Sequence, residues 1–335
     1  MRSECVCPLL RGMQINGGGI SMKIITFEDI RELEISPRTC FEWVRACMEK
    51  KKDAVLPAKI SMRPEEGVFY NVMPCIPDGA WGGVKVITRY PERKPCMDSR
   101  LLLTDIKTGR FLALMDGNWI TAMRTGAVAA HSVLLFSRKG FSNIGIIGTG
   151  NTAGATLLVL AEMETDREFH VRLLRHRGQE EVFARRFEKY KNLSFTYVEH
   201  VEQLIQQSEV VISAATFLNQ DVCPDRYLGE GVLVVPIHTR GFQNCDLFFD
   251  RVFADDYGHV CRFDHFRQFR YFAETADVVN GTAAGRENDR ERILVYNIGI
   301  AMYDICFAAR IYRMLEENAG LQNANMREPH EGFWI

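Results

Sequence analysis

Hydrophobic and polar positions follow one rhythm up to about residue 141 and another after it. Ser36 followed by Pro37 supplies a helix N-cap and a first-turn proline, and "RTCFEWVRACMEKKK" then repeats apolar residues at helical spacing. The pieces "LPAKISM", "VFYNVMP", "GGVKVITRY", "RLLLTDI" and "RFLALMD" come next, extended in character and separated by Pro, Gly and charged turns. Strands this close, without helices between them, predict an antiparallel sheet. Asp116 or Asn118 then caps a helix over "WITAMRTGAVAAHSVLLFS", long enough to bridge to a second domain. Beyond it, strand-like segments at 143–147, 169–174, 193–198, 209–214, 231–236 and 251–255 alternate with helical stretches such as "GQEEVFARRFEKY". Parallel neighbours require crossovers, so this rhythm predicts a doubly wound sheet. The helix "NIGIAMYDICFAARIYRMLEE", 297–317, follows the last strand and is placed to return to the first domain. The expected fold class is α/β, a Rossmann doubly wound parallel sheet plus an antiparallel α+β domain. The expected boundaries are 22–141, completed by a C-terminal helix at 294–320, and 142–293, with tails at 1–21 and 321–335.

Composition narrows the class of partner. With 335 residues, 47% of them hydrophobic, the chain can bury a full core, and its length suggests two domains. A formal net charge of −2 and the lack of a long basic run argue against nucleic acid. The best apolar run, "TLLVLA", is far short of the roughly 20 residues that span a bilayer, so no membrane partner is expected. The ten cysteines include no C-x-x-C pair and read as buried or neutral thiols of a cytoplasmic protein. A small-molecule partner is the expectation that remains.

The stretch "IGIIGTGNTAGATL", 144–157, gives that partner a candidate cradle. It follows a strand, opens a helix and begins the alternating series, the context a dinucleotide fingerprint needs. Gly148 permits the tight turn, Gly150 lets a pyrophosphate approach, and Ala153 allows close packing, with Asn151 and Thr152 opening the helix whose free N–H groups face phosphates. The second strand, "FHVRLL", runs into Arg175, His176 and Arg177, where an NAD-preferring fold places an acid. Guanidinium groups hold a 2′-phosphate, so NADP(H) is the preferred cofactor and NAD(H) the alternative. A solvated basic turn is the competing reading. Thr216, just past the segment 209–214, is a further candidate cofactor contact.

With the fingerprint placed, residues 23–318 resemble the ornithine cyclodeaminase/mu-crystallin family. The resemblance rests on "LMDGNWITAMRTGAVAA" at 114–130, "PAK" at 57–59, "VMP" at 72–74, "GVKVI" at 83–87, "GTGNTA" at 148–153 and the late "GR…ERI…NIGIAMYD". It implies a Rossmann domain joined to an antiparallel substrate and dimerisation domain, a homodimer, and an amino-acid-like substrate handled with a nicotinamide cofactor. By the same resemblance Arg124 grips the substrate carboxylate, Lys85 lies near the reacting amine or carbonyl, and Lys59 stands where many members have arginine for that carboxylate. Asn118 and Thr121 are candidates to face the cofactor. Read alone, a lysine in "GGVKVITRY" is ordinarily a solvated edge residue, and alternation sets Val84 and Val86 on one face and Lys85 with Ile87 on the other. Arg124 sits on a helix of small and apolar residues, where a bound anion is the natural partner for its charge.

One departure bears on the reaction. Cyclising members carry an aspartate just after the strand that here reads "GVLVVPI"; this chain continues "HTRGFQNCD", with His238, Thr239 and Arg240 in that region and Asp246 the next acid. His238 is a candidate acid or base, or a core histidine. The expectation is therefore an NAD(P)-dependent oxidoreductase that reduces an imino or 2-oxo acid or oxidises the amino acid. An ammonia-releasing cyclodeaminase and a non-catalytic NADPH-dependent binding protein are the alternatives.

Overall fold

The computed structural model describes residues 20–215, 221–237, 242 and 246–326. Its first part builds β1 (Ile20–Ile25), α1 (Phe27–Glu32), α2 (Pro37–Glu49), β2 (Ile60–Met62), β3 (Phe69–Cys75), β4 (Trp81–Arg89), β5 (Met97–Asp105), β6 (Phe111–Asp116) and α3 (Asn118–Phe136). Next come β7 (Asn143–Ile147), α4 (Asn151–Met163), β8 (Phe169–Leu174), α5 (Gln179–Arg185), β9 (Leu193–Val198), α6 (Val201–Gln206), β10 (Val210–Ser213) and β11 (Leu233–Pro236). They are followed by β12 (Arg251–Ala254), α7 (Tyr257–Val260), β13 (Phe272–Glu274), α8 (Thr275–Val279), β14 (Ile293–Tyr296), α9 (Ala301–Leu315) and β15 (Gln322–Met326).

Local chemistry sets the helix starts. Ser36 Oγ accepts from the Thr39 N–H at 3.0 Å, with Pro37 in the first turn of α2. At α3 the capping acceptor is Asp116, whose Oδ1 takes the Asn118 N–H at 2.8 Å.

Two sheets result, in the orders β15-β1-β6-β5-β4-β3-β2 and β13-β12-β14-β11-β10-β7-β8-β9. The strands from β2 to β6 pair antiparallel, while β1 runs parallel to β6. Every pair in the second sheet is parallel, and β7 lies between β8 and β10. That position is the switch point at which doubly wound sheets open a crevice for nucleotides. The α/β class is that expected, with both sheets present.

Three details differ from the expectation. Ile20 and Ser21 pair with Met326 and Asn325, so strand extends into both segments expected as tails, 1–21 and 321–335. "QNANM" has no apolar alternation because main-chain pairing at a sheet edge holds it. The last helix starts at Ala301 rather than 297, because the chain turns out of β14 through Gly299 at φ +87°. β14 itself lies between β11 and β12, so residues expected to open the C-terminal helix at 294 belong to the parallel sheet.

Helices α2, α3 and α9 share one apolar core with the inner face of the first sheet, where Met73, Ile87, Leu101, Leu103, Ala113 and Met115 are buried. The opposite face is apolar too. Pro74, Val84, Leu102, Leu114 and Ile24 form one cross-strand row, all half-buried or exposed, with Leu114 37% exposed. Among the described residues, no helix is long and apolar enough to cross a membrane.

The bridging helix α3 meets the nucleotide-side helix α4 at Gly126, where a Cβ would stand 2.5 Å from the Ala155 carbonyl carbon and Cβ. No side chain fits between these backbones. We therefore predict that Gly126→Val destabilises the protein by about 3 kcal/mol or more, the upper range for overpacking. Thermal unfolding should show a clearly lowered midpoint, and an unchanged midpoint would show that α3 and α4 separate freely.

Candidate active site

Lys85 is central to the site because of its register. In β4 it pairs with Met73 on one side and Leu101 on the other, on the face that packs against the helices. It is fully buried, and its ammonium donates to Asp304 Oδ1 at 2.8 Å and lies 3.4 Å from Thr121 Oγ1. The same oxygen of Asp304 accepts from Arg124 Nε at 2.9 Å. Two cations therefore share one carboxylate oxygen, while Asp304 Oδ2 is buried with no hydrogen-bond partner among the described residues.

Arg124 spends only Nε on this contact. Its two terminal nitrogens carry no hydrogen bond among the described residues, and they lie against Gly299, where a Cβ would stand 2.9 Å from Nη1. A planar fork held by its inner nitrogen suits a carboxylate. Lys59 Nζ reaches the Ile298 carbonyl oxygen at 3.2 Å, close enough to Arg124, Asp304 and Asp255 to feel their charges.

Burial, and then the Arg124 charge, push Lys85 down to about 7 against the pull of Asp304. Burial likewise brings Lys59 down to about 8. Asp255, just past β12, is fully buried and its carboxyl is pushed up by that burial. Its Oδ2 accepts from the Gly299 N–H at 2.6 Å, and its Oδ1 has no partner among the described residues.

A second relay supports the Lys59 segment. Lys51 Nζ bonds Asp256 at 3.0 Å and Glu274 at 2.5 Å, joining the first domain to the second. His259 Nδ1 lies 2.9 Å from Asp256 Oδ1, and its Nε2 accepts from the Lys59 N–H at 3.4 Å. The carboxylate forces Nδ1 to donate, which leaves Nε2 as the acceptor.

The turn from β7 into α4 has the shape that a dinucleotide cradle requires. Gly148, at φ +89°, brings its backbone so close to Ala214 and Ala215 that a Cβ would stand 2.7 Å from the Ala215 nitrogen. A Cβ on Gly150 would meet nothing within 4 Å, and α4 starts there with no side-chain cap. Open space over an uncapped helix start, in front of the N–H groups of Asn151, Thr152 and the buried Ala153, fits a pyrophosphate. At the end of β8, Arg175, His176 and Arg177 are all exposed, with Arg177 at φ +56°. Arg175 is surrounded by acids, 3.0 Å from Glu199, 3.3 Å from Glu181 and 3.5 Å from Glu180. The His176 N–H also donates to Glu180, at 2.9 Å. The turn is therefore mixed in charge, a property set by Glu180 and Glu181 of α5 and by Glu199 after β9.

Other expected site residues fall elsewhere. Asn118 is hydrogen bonded to Ser99, Asp98 and Asp116, and Thr121 to Ser99 and Lys85, so Thr121 is the one of the two in contact with the lysine. Thr216 and His238, with Thr239 and Arg240, lie outside the described residues. Asp246 is buried against the Tyr296 hydroxyl, which donates to it at 2.5 Å. Sequence pattern alone assigns no role to Asp255, Asp304 or Gly299. The paired acids of "FADDYGH" at the carboxyl end of a parallel strand were the available signal, since crevices open there.

The family model described as "Ornithine cyclodeaminase/mu-crystallin family" matches residues 22–319. Nodulation efficiency protein NfeD of Rhizobium meliloti is 27% identical over 281 residues, covering 78% of this chain and 84% of its own. Delta(1)-pyrroline-2-carboxylate reductase of Bacillus thuringiensis is 27% identical over 273 residues, 74% of this chain and 82% of its own. The Thermococcus litoralis Delta(1)-pyrroline-2-carboxylate reductase, solved with NADH and L-proline, superposes with a TM-score of 0.79 at 25% identity, covering 90% of this chain and all of that one.

The depressed lysine has a consequence for stability. Between about 7 and the ordinary 10.5, folded Lys85 binds fewer protons than the unfolded chain, so raising the pH through that window favours the fold. We predict that the urea midpoint of the wild type rises between about pH 7 and pH 9, and that Lys85→Met flattens this rise. Equal slopes in both proteins would remove Lys85 as its source.

Proposed function

The chain belongs to the ornithine cyclodeaminase/mu-crystallin family, and from that premise we propose that it is a nicotinamide-dependent oxidoreductase that reduces the C=N bond of an imino acid or the C=O bond of a 2-oxo acid. The observation that carries this reading is the Lys85, Asp304 and Arg124 cluster, two residues along α3 from the Gly126 contact with the nucleotide-side helix. Similarity to pyrroline-2-carboxylate reductases supports a cyclic imino acid as the first substrate to try.

Arg124 binds the substrate carboxylate through its two free terminal nitrogens, with Lys59 as the second cation. Asp304 and Thr121 aim the Lys85 ammonium, which holds the proton that the substrate nitrogen or oxygen takes up. A bound nicotinamide supplies the hydride. Gly148, Gly150 and the start of α4 position the dinucleotide.

NADP(H) is the proposed form, supported by His176 and Arg177, which have no carboxylate within ion-pairing distance among the described residues. The three glutamates around Arg175 favour NAD(H) as the second reading. The protein is also proposed to be a homodimer whose second copy covers the apolar row of Val84, Leu102 and Leu114 on the outer face of the first sheet.

A panel of cyclic imino acids and of 2-oxo acids with amines, assayed in parallel with NADPH and NADH, tests the reaction. Oxidation of NADPH is expected with at least one imino acid, and Arg124→Met should lower kcat/KM by roughly 30-fold to 1,000-fold, as loss of a buried charge partner does. Turnover of ornithine to proline and ammonia without added reductant would instead establish the cyclodeaminase. For assembly, sedimentation should give a dimer that Leu114→Glu converts to monomer; a monomeric wild type would refute the sheet-face interface.

A further inference from the structure

The end of α2, the segment 77–81 and α9 line a cavity of about 190 Å³ whose wall includes Cys47, Cys306, Lys50, Arg310 and Arg313 and one acid, Asp78. Arg310 Nη1 approaches Cys47 Sγ at 3.6 Å and donates to the Cys306 carbonyl oxygen at 3.3 Å, so one guanidinium spans both cysteines. The two thiols are near enough for each to act on the acidity of the other. Cys306, helped by Arg310 and Lys50, draws the Cys47 thiol below its ordinary value, while Cys47 and burial hold Cys306 well up. Cys40 and Cys75, by contrast, are both pushed up to about 12, first of all by burial.

A thiolate is the nucleophile in cysteine oxidation, and electropositive surroundings with access to solvent select which thiol reacts. A neighbouring thiol then resolves the first product. The α2–α9 cavity is lined by both cysteines and by Lys50, Arg310 and Arg313, so access and positive charge meet at the pair. We propose that Cys47 and Cys306 form an oxidisable dithiol site, at which a hydroperoxide entering the cavity converts the pair to a disulfide.

The chemistry balances without another reactant. Cys47 sulfur attacks a peroxide oxygen, the O–O bond breaks, and the departing oxygen leaves as water or an alcohol after taking a proton. Cys47 is then a sulfenic acid. Cys306 sulfur displaces its oxygen as a second water and forms the S–S bond. Two thiols lose two electrons and two protons, and the peroxide gains them. The sulfurs must close to about 2 Å. Cys306 lies two residues beyond Asp304 on α9, so the link acts on the helix that holds Lys85 and Arg124.

The test needs no knowledge of the substrate. Full-length reduced protein is exposed to near-stoichiometric hydrogen peroxide, blocked with N-ethylmaleimide and mapped by tandem mass spectrometry. The expected product is a Cys47–Cys306 cross-linked peptide lighter by two hydrogens and reopened by dithiothreitol. Cys306→Ser should leave Cys47 trapped as a dimedone-reactive sulfenic acid, and Arg310→Met should slow its formation by roughly tenfold. Cross-links confined to other cysteines, or both thiols still alkylated while other cysteines oxidise, would overturn the proposal. So would a Cys306→Ser protein in which Cys47 never reacts with dimedone.

Discussion

Two cations share one oxygen of Asp304 inside an apolar core, and much of the structure answers to that imbalance. Moving an ion out of water costs several kcal/mol even after relaxation, and a partner recovers it only with good geometry. Lys85 and Arg124 together exceed what one carboxylate neutralises, and Lys59 adds a third positive group within range. The site relieves the excess in two ways. Lys85 gives up its proton more readily than a free lysine, and the terminal nitrogens of Arg124 remain available to an incoming anion. The ligand carboxylate proposed for this site would complete the charge arrangement of the fold as well as occupy a pocket.

Holding that arrangement requires elements from both ends of the chain. β4 places Lys85 in an apolar cross-strand row, α3 places Arg124, and α9 returns from the last parallel strand to bring Asp304 between them. Gly299 belongs to the same arrangement, since its left-handed backbone ends β14 and leaves room for the guanidinium that a side chain would fill. Because α3 also meets α4 without an intervening side chain, Arg124 and the glycine turn before α4 are set relative to each other by one close helix contact. Small misplacements of reacting groups are costly, so such a contact is where a two-domain site gains its precision.

The periodicities alone carried the two-sheet organisation, because parallel crossovers and antiparallel hairpins leave different spacings. The Gly148 to Ala153 motif was legible for the same reason, with a steric requirement at each position. The burial of Lys85 was not, since alternation places it with Ile87 without saying which face the helices cover, and both faces of β4 are apolar; its candidacy came from the family resemblance alone. Asp304 lay inside a quoted motif without a role, because its function depends on Lys85, 219 positions away. Arg175 to Arg177 looked uniformly basic only while Glu180, Glu181 and Glu199 were out of view. The strand at 322–326 was hidden in a polar segment whose conformation comes from its partner β1.

Lys85 also bears on the direction of the proposed reaction. Reduction of a C=N or C=O bond consumes a proton with the hydride, so the productive lysine begins as the ammonium; oxidation of the amine needs it to begin neutral. With Lys85 brought down to about 7, both forms are present near neutrality, and acid conditions favour reduction while alkaline ones favour the reverse. A bound carboxylate shifts this balance. Its negative charge beside Arg124 offsets the repulsion that the guanidinium exerts on the ammonium, so the occupied site holds its proton more firmly than the empty one. On the proposed reaction, binding the substrate prepares the lysine as a donor, and the charge excess of the empty site couples recognition of the carboxylate to delivery of the proton.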